Sequence, residues 1–379
     1  MSHTLENLER LVGFASLTDT PNGEIVDYIA GVLGAAGARV HRIDGGEGKS
    51  GLFAAIGPEG PGGVMLSGHV DVVPVAGQDW SSDPFTLRRA DDRVYGRGTT
   101  DMKGFLAAML SAAERAGALA RPLKLAFSWD EEIGCRGIPV MLERIDATVG
   151  RPEACIVGEP TGMQIALGHK GKTSLRAVAR GQAGHSAEAP DYVNALHLAA
   201  GMIGALRDEQ DRLARTGAQD DGFAIPYSTV HAGVMQGGRA LNIVPDWAEI
   251  AFEIRNLAEE PPGEIIARLR AAAREIAAQA GPGAGLEIEE TGAYPGLATA
   301  PDSPAVTLAR DIAPGAGLTK VSYGTEAGHF AARGIETVVC GPGDMAQGHK
   351  PDEFIALDQL AQCDAMLDRL LARLGDGMR

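Results

Sequence analysis

The stretch that most constrains this chain runs from Val64 to Val73 and is VMLSGHVDVV. Its apolar start, residues 64–66, is typical of a strand that is buried on both faces, and a small Ser-Gly step then leads to His69 and Asp71. In an open α/β sheet the ligand cleft lies beyond the carboxyl ends of the strands. A His at such an end favours a metal ligand whose second ring nitrogen donates to Asp71 or to another local acceptor. A polar turn with the same letters is the alternative, since short motifs recur by chance.

Composition limits the kinds of partner. With 379 residues, of which 45% are hydrophobic and 22% charged, the chain is long enough for two globular domains. A formal net charge of -16 argues against a nucleic acid or an anionic membrane as the partner. No apolar run approaches the roughly 20 residues that span a bilayer, and the first residues lack the layout of a secretion signal. The four cysteines form no CxxC pair, which fits a reducing compartment, so we expect a cytoplasmic protein.

Further acidic residues follow apolar segments. Asp101 lies in GRGTTDMKG, directly before a helical run that the threonines can cap. The alternating segment 123–129 ends in the DEE triplet at 130–132, and the apolar segment 155–157 is followed by Glu159. Neighbouring carboxylates repel one another, so such a run indicates a bound cation when it is packed and an ordinary solvated surface when it is not.

The pattern changes at about residue 170. Over residues 170–291 the periodicities follow the order β-α-β-β-α-β, which is that of a ferredoxin-like domain. We therefore expect an α/β domain in two parts, residues 1–169 and 292–379, with a central mixed sheet flanked by helices. The insert is an α+β domain, and its open sheet edge favours dimerisation.

Five side chains of the predicted α/β domain suit divalent ions: His69, Asp101, Glu132, Glu159 and His349. Two imidazoles and three carboxylates hold two ions if one carboxylate bridges, and Asp101, at a loop–helix junction, is the best bridge. Glu131 points another way along the backbone than Glu132, so it is the candidate general base for a metal-bound water.

An ordered set of motifs strongly resembles the zinc-dependent aminoacylase–carboxypeptidase family over essentially the whole chain, the insert included. The motifs are GHVDVVP, GRGTTDMKG, SWDEEIG, VGEPT, GQAGHSA, LNIVPD and GHKPDE. Within this family, SYGTEAGHF and GPGDMAQGHKPDEF look most like the acetylornithine deacetylases. The resemblance implies hydrolysis of the amide bond of an N-acyl-L-amino acid, with N-acetyl-L-ornithine (arginine biosynthesis) as the expected substrate. It also implies a homodimer and two divalent ions, Zn²⁺ before Co²⁺ or Mn²⁺.

The resemblance also implies which residues hold the ions. His69, Asp101 and Glu159 match the ligands of one ion. Asp101, Glu132 and His349 match the ligands of the other, so that Asp101 is shared.

Further roles come from the same resemblance. Glu131 matches the general base, and Asp71 matches the carboxylate that orients the first His. His185 matches a His that stabilises the oxyanion in the partner subunit's site, although the residues alone favour a loop position. Asn242 and Arg255 match positions that hold polar groups of the substrate. For Arg255 a surface ion pair is the alternative, and FEIRNL lacks the proline that often follows this Arg in the family.

The loop Gly324-Thr325-Glu326 is a separate hypothesis. A carboxylate there can pair with the cationic side chain of ornithine, whereas desuccinylases, by resemblance, have a serine-rich loop. The alternatives are a desuccinylase, a dipeptidase or a deacylase of another amino acid, and, outside enzymes, an idle dimeric relative that binds a ligand. A mononuclear structural metal site is weaker, because structural zinc favours closed Cys/His sets.

Overall fold

The computed structural model describes residues 3–375, which form two compact units. The first unit comprises the chain up to Gly168, the segment Thr299–Val321 and the chain from Thr325 onward. The second comprises His169–Ala298 and residues 322–324. The second unit continues past residue 291, where the sequence placed its end, because its last long strand runs on to Tyr294.

The described part of the chain contains both helices and strands. In chain order they are α1 (His3–Val12), α2 (Gly23–Ala35), β1 (Arg39–Gly46), β2 (Lys49–Ile56), β3 (Val64–His69), β4 (Arg88–Ala90), β5 (Arg93–Tyr95), a π-helical turn (Thr99–Lys103), α3 (Gly104–Arg115), β6 (Leu123–Ser128), α4 (Gly137–Leu142), α5 (Ile145–Thr148), β7 (Ala154–Val157), β8 (Ile165–His169), β9 (Gly171–Arg180), a 3₁₀ helix (Ser186–Asp191), α6 (Ala195–Thr216), β10 (Thr229–Gly237), β11 (Trp247–Asn256), α7 (Pro262–Ala280), β12 (Gly285–Tyr294), β13 (Leu297–Ala298), α8 (Pro304–Ile312), β14 (Leu318–Val321), α9 (Ala327–Ala332), β15 (Glu336–Val339), β16 (Phe354–Ala356) and α10 (Leu357–Gly375). Among the described residues, no helix is both long and apolar enough to cross a membrane.

The central sheet of the first unit contains strands in the order β1-β2-β6-β3-β7-β15-β8, and β14 pairs with β8. β3 is parallel to β6 and β7, and β15 is parallel to β7. β1 and β2 run antiparallel to their neighbours, and β8 runs antiparallel to β15. The expected mixed sheet is confirmed. Since β6, β3 and β7 are adjacent and parallel, the segments that follow their carboxyl ends leave the sheet side by side.

Four strands of this sheet are buried along their whole length. Every residue of β2, β3, β6 and β7 is buried, as expected for apolar strands with helices on both faces.

Two long-range contacts tie distant parts of the first unit together. β16 pairs with β5, which brings the chain after His349 beside the chain that leads to Asp101. The backbone N–H of Thr299 donates to the carbonyl oxygen of Leu167 (2.8 Å), so the chain leaves and re-enters the first unit at neighbouring points.

The second unit has an antiparallel sheet in the order β10-β11-β9-β12. Residues of α6 and α7, among them Met202 and Leu269, share one hydrophobic core with the inward side chains of the sheet. β11 alternates between buried and partly exposed residues along its whole length, which is the period of a half-buried strand. This is the predicted ferredoxin-like arrangement. β10 is an edge strand on which Val234 and Met235 are 59% and 44% exposed.

Candidate metal centre

His69 lies at the end of β3 with a fully buried side chain. Its Nδ1 is 2.9 Å from the backbone carbonyl oxygen of Asp71 and 3.5 Å from Oδ1 of the same residue. A carbonyl oxygen only accepts, so Nδ1 carries a hydrogen and donates it, and in the neutral ring Nε2 presents a lone pair. Nε2 faces Asp101 Oδ1 at 3.3 Å and Glu159 Oε1 at 3.7 Å. A lone pair opposite two carboxylates is stable only if a proton or a metal cation lies between them.

The two oxygens of Asp101 face two different imidazoles. Oδ1 faces His69, whereas Oδ2 is 3.1 Å from Nε2 of His349. Nε2 of His349 is also 2.9 Å from Oε2 of Glu132. Asp101 lies in the π-helical turn before α3, and its side chain is 4% exposed, whereas His349 is about half exposed. Asp101 is thus placed as a carboxylate shared by two half-sites.

Ligand atoms lie within 4.8 Å of one another in two groups, one of His69, Glu131 and Glu159 and one of His69, Asp101 and Glu132. Together with the contacts of His349 to Asp101 and Glu132, these groups bring the five predicted ligands together, and Glu131 lies among them. Glu159 approaches the cluster because Gly158 precedes it: a Cβ at position 158 would overlap the ring of Phe105.

The shifted pKa values of the cluster indicate that it favours a bound positive charge. Burial raises the pKa of Glu131 and of Glu159 well above the ordinary carboxyl value, and neighbouring carboxylates raise both further. Burial also raises the pKa of Glu132, to about 7. Hydrogen bonds to Asp101 and Glu132 raise the pKa of His349 to about 10. Burial opposes ionisation of Asp101, but hydrogen bonds from His349 and His69 hold its pKa below the ordinary value.

One oxygen of the cluster has no partner at all among the described residues: Glu132 Oε1 is buried and makes no hydrogen bond. Buried carboxylates with imidazoles as their ion-pair partners are costly unless a cation compensates them. Carboxylate oxygens and imidazole nitrogens are also the donor set of zinc, cobalt and manganese sites. The residues present therefore fit divalent metal ions.

The carboxylate of Asp71 accepts two backbone hydrogen bonds that the sequence did not predict. Its Oδ1 accepts the backbone N–H of Glu131 (3.1 Å), and its Oδ2 accepts that of Glu132 (3.3 Å). The nearer acceptor for His69 is the carbonyl oxygen of Asp71 rather than its carboxylate. Asp71 therefore fixes the backbone of both glutamates as well as the tautomer of the histidine.

A second contact of this kind involves Lys49, which the sequence did not single out. Asp130 has a left-handed backbone (φ 52°) directly before Glu131. Its Oδ2 is 2.7 Å from Nζ of Lys49, and its Oδ1 accepts the backbone N–H of Asp19 (3.0 Å). The side chains of Lys49 and Asp130 are 9% and 6% exposed. The sequence signal for this contact is the lysine at the start of β2, because a charged side chain in a fully buried strand needs an ion-pair partner.

The loop that carries Glu326 divides between the units. Gly324 belongs to the second unit, where a Cβ would overlap the ring of Tyr294. Thr325 Oγ1 accepts the backbone N–H of Ala327 at the start of α9. Glu326 is 1% exposed; its Oε2 lies 3.4 Å from the Ser67 hydroxyl, and its Oε1 makes no hydrogen bond. Burial raises its pKa to about 7.

The other predicted residues lie in the second unit. His185 is exposed, and its Nδ1 accepts the backbone N–H of Ala187 (3.1 Å). The backbone carbonyl of Asn242 accepts the N–H of Ser186 (3.2 Å), so His185 and Asn242 lie on adjoining segments.

Arg255, also in the second unit, is already paired. Its Nε donates to Glu253 Oε1 (2.9 Å), and its NH1 donates to the Tyr294 hydroxyl (2.6 Å). The ion pair that the sequence left open as an alternative is therefore present.

A mixed sheet with a cluster of imidazoles and carboxylates beside the ends of its parallel strands is typical of metal-dependent hydrolases. Residues 65–373 match the model of Peptidase family M20/M25/M40, and the chain belongs to this family. Acetylornithine deacetylase of Myxococcus xanthus is 34% identical over the full length of both chains. Acetylornithine deacetylase of Aliivibrio fischeri (strain ATCC 700601 / ES114) is 32% identical over 96% of both.

Solved structures confirm the fold. An M20 family metallo-carboxypeptidase from Sulfolobus solfataricus superposes with a TM-score of 0.78 at 21% identity, covering 98% of this chain and 99% of that one. A dinuclear metal-binding peptidase of the M20 family from Bacillus subtilis gives 0.71 at 17% identity, with coverage of 99% and 98%. These structures confirm the predicted fold class, and the family match confirms the predicted family and class of enzyme.

Proposed function

We propose that this protein hydrolyses the amide bond of N-acyl-L-amino acids and that N-acetyl-L-ornithine, which yields L-ornithine and acetate in arginine biosynthesis, is its preferred substrate. The observation that carries the hydrolytic part is the position of Asp101, whose two oxygens face His69 and His349 separately. The preference for acetylornithine is supported by relatives of that activity at 32–34% identity over nearly the whole chain.

The proposed ligands are assigned by half-site. His69, Asp101 and Glu159 hold one ion, and Asp101, Glu132 and His349 hold the other, with Zn²⁺ as the expected metal and Co²⁺ or Mn²⁺ as substitutes. A bound pair of such ions polarises an amide carbonyl and lowers the pKa of a water molecule.

Glu131 is the proposed general base and acid. Its carboxylate belongs to the same cluster, and Asp71 holds its backbone N–H. It takes a proton from the attacking water and returns it to the leaving amine. The thiol of Cys135, which lies 3.2 Å from Glu131 Oε1, orients the carboxylate.

His185 is proposed to donate a hydrogen bond to the oxyanion. Because its Nδ1 accepts the N–H of Ala187, the neutral ring carries its hydrogen on Nε2, which is then a donor. We propose that it serves the site of the partner subunit in a homodimer. The exposed apolar residues of the edge strand β10 support such an assembly.

Substrate selection is assigned to two charged residues and their neighbours. Arg255, together with Asn242, is proposed to bind the α-carboxylate, exchanging part of its pairing with Glu253 for the substrate. Glu326, in the Gly324-Thr325-Glu326 loop, is proposed to attract the ornithine ammonium group, and its unpartnered Oε1 supports this.

One observation favours a second candidate, a deacylase or dipeptidase for neutral amino acids. Glu326 is only 1% exposed, so direct contact with a substrate cation requires the loop to move. If Glu326→Gln leaves the preference for acetylornithine over N-acetylmethionine unchanged, Glu326 does not select the substrate.

The decisive experiment is an activity panel. Amine release is measured from N-acetyl-L-ornithine, N-acetylmethionine, N-succinyl-diaminopimelate and a dipeptide, after chelation and after addition of Zn²⁺ or Co²⁺. Metal-dependent preference for acetylornithine is the expected result. Preference for another compound corrects the substrate, and no hydrolysis by protein loaded with two ions overturns the proposed function.

A further inference from the structure

Glu353 binds the turn that carries Asp101 through four hydrogen bonds. Its Oε2 accepts from NH1 of Arg97 (2.7 Å) and from the backbone N–H of Gly98 (3.0 Å). Its Oε1 accepts the backbone N–H groups of Thr100 (2.9 Å) and Asp101 (3.1 Å). The side chains of Glu353 and Arg97 are each 1% exposed. One buried carboxylate thus fixes the backbone up to and including the shared metal-ligand candidate.

The same network reaches the segment of His349. NH2 of Arg97 donates to Oε1 of Gln78 (2.6 Å), and Nε2 of Gln78 donates to the backbone carbonyl oxygen of His349 (2.9 Å). NH1 of Arg97 also donates to the carbonyl oxygen of Lys350 (3.3 Å). His349 has a left-handed backbone (φ 62°), a conformation that a histidine keeps only when its surroundings hold it.

We propose that Glu353, Arg97 and Gln78 are positioning residues that hold Asp101 and His349 at the spacing required by the second metal ion. The proposal rests on the proposed function only in so far as that function places an ion between Asp101, Glu132 and His349. The three residues, which we call the Glu353 brace, touch neither ion nor substrate.

The location of the two ligands explains why a brace is needed. Asp101 and His349 both lie outside the central sheet, one in a π-helical turn and one in the loop before β16. Loops of this kind have several accessible backbone conformations, and a metal site tolerates only small errors in ligand position. Charge-assisted hydrogen bonds in a dry interior are the strongest means of selecting one conformation.

The second unit supplies a matched control. The carboxylate of Glu209, which is 7% exposed, is bound by the guanidinium groups of Arg212 and Arg268, each 2.9 Å from its Oε1. It is therefore also a buried carboxylate bound by guanidinium, but it joins two helices and binds no ligand-bearing loop. Glu353→Gln and Glu209→Gln are the same chemical change in two places.

The experiment measures metal binding rather than turnover. Metal-free protein is titrated with Zn²⁺, and Co²⁺-loaded protein is followed by its visible absorption spectrum. Wild-type protein and Glu209→Gln are expected to bind two ions tightly. Glu353→Gln is expected to keep one tight ion and to bind the second roughly 10- to 100-fold more weakly, because an amide NH₂ then faces two of the four donors. Two ions bound with wild-type affinity by folded Glu353→Gln overturn the proposal.

Two milder variants keep the test valid if Glu353→Gln does not fold. Arg97→Lys keeps the positive charge but loses the planar guanidinium group that reaches both Glu353 and Gln78. Gln78→Met removes the link to His349 at a partly buried position. Each is expected to weaken the second ion several-fold, and unchanged affinity in both contradicts the brace. Wild-type protein that binds two ions but hydrolyses no panel compound overturns the proposed function and leaves the brace intact. Wild-type protein that binds no second ion overturns the brace.

Discussion

The candidate metal centre of the first unit and the helix pair α6–α7 of the second treat buried carboxylates in opposite ways. In the second unit, Glu209 lies between two guanidinium groups, and although burial opposes ionisation, hydrogen bonds from Arg212 and Arg268 lower its pKa. In the first unit, the ion-pair partners of Glu132 and Glu159 are imidazoles, and burial raises the pKa of both carboxyl groups. A carboxylate that the protein neutralises itself stabilises the fold, whereas a group of carboxylates that it leaves undercompensated is available for a cation from outside.

The largest expected effect on kcat comes from removing the proposed base, Glu131, in the first unit. Glu131→Gln should lower kcat by about 10²- to 10⁴-fold, since general acid–base catalysis contributes about that much. Two ions should remain bound, because Glu131 is not among the proposed ligands. The measurement is steady-state kinetics beside elemental analysis. Glu143→Gln, at an exposed position in the same unit, is the control, and a kcat within threefold of wild type would remove Glu131 from its role.

Loss of the proposed oxyanion donor tests whether the second unit takes part in the chemistry. His185→Ala should lower kcat by about 10²- to 10³-fold, the usual cost of removing one such donor. Metal content and Tm should stay unchanged, because the side chain is exposed. His197→Ala, another exposed histidine of the same unit, should have no effect. If His185→Ala and His197→Ala had the same kinetics, His185 would have no role in the chemistry.

Lys49→Met tests the support behind Glu131. It leaves Asp130 buried without its cation, so the free energy of unfolding should fall by about 3 kcal/mol. kcat should fall about tenfold, comparable to the loss of a supporting partner at a metal site. Urea denaturation and kinetics measure the two effects. The double variant Lys49→Met with Asp130→Asn should recover part of the stability, and no recovery would show that the pair is not the cause.

Glu209→Gln has the smallest effect on chemistry and an effect on stability that depends on pH. Because the folded state lowers the pKa of Glu209, its ionised form stabilises the protein at any pH above the ordinary value of 4.5. This stabilisation is lost as the pH falls below 4.5 through the lowered pKa. At pH 7 the variant should lose about 1–2 kcal/mol, reduced by the partial exposure of both arginines.

The pH dependence of stability serves as the control for Glu209→Gln. Its stability should approach that of wild type as the pH falls, while kcat and metal content stay at wild-type values throughout. A pH-independent difference in the free energy of unfolding would mean that lost packing, rather than lost charge, explains the result.

The sequence predicted what is local and periodic. His69, Glu132 and Glu159 follow apolar segments, and such strand ends are visible in any α/β sequence. Asp101 and His349 needed the resemblance as well, because neither ends a strand of the central sheet.

The sequence did not predict the long-range polar contacts that fix the backbone beside the site residues. Glu353 reaches the turn at residues 98–101, and Lys49 reaches Asp130, across long separations in sequence. Asp71 reaches the backbone of Glu131 in the same way. Hydrophobic periodicity determines which face of an element is buried, but it does not indicate which buried polar groups will meet.

The chain leaves the first unit after Gly168 and returns at Thr299, whose N–H binds the carbonyl oxygen of Leu167. The inserted segment therefore begins and ends at neighbouring points, so its length does not change the distance that the first unit's chain has to cover there. The length and surface of the inserted segment can therefore change without displacing the two points at which it joins the first unit. The five proposed ligands thus belong to one unit, whereas the proposed selectivity is divided between Glu326 in the first unit and Arg255 in the second.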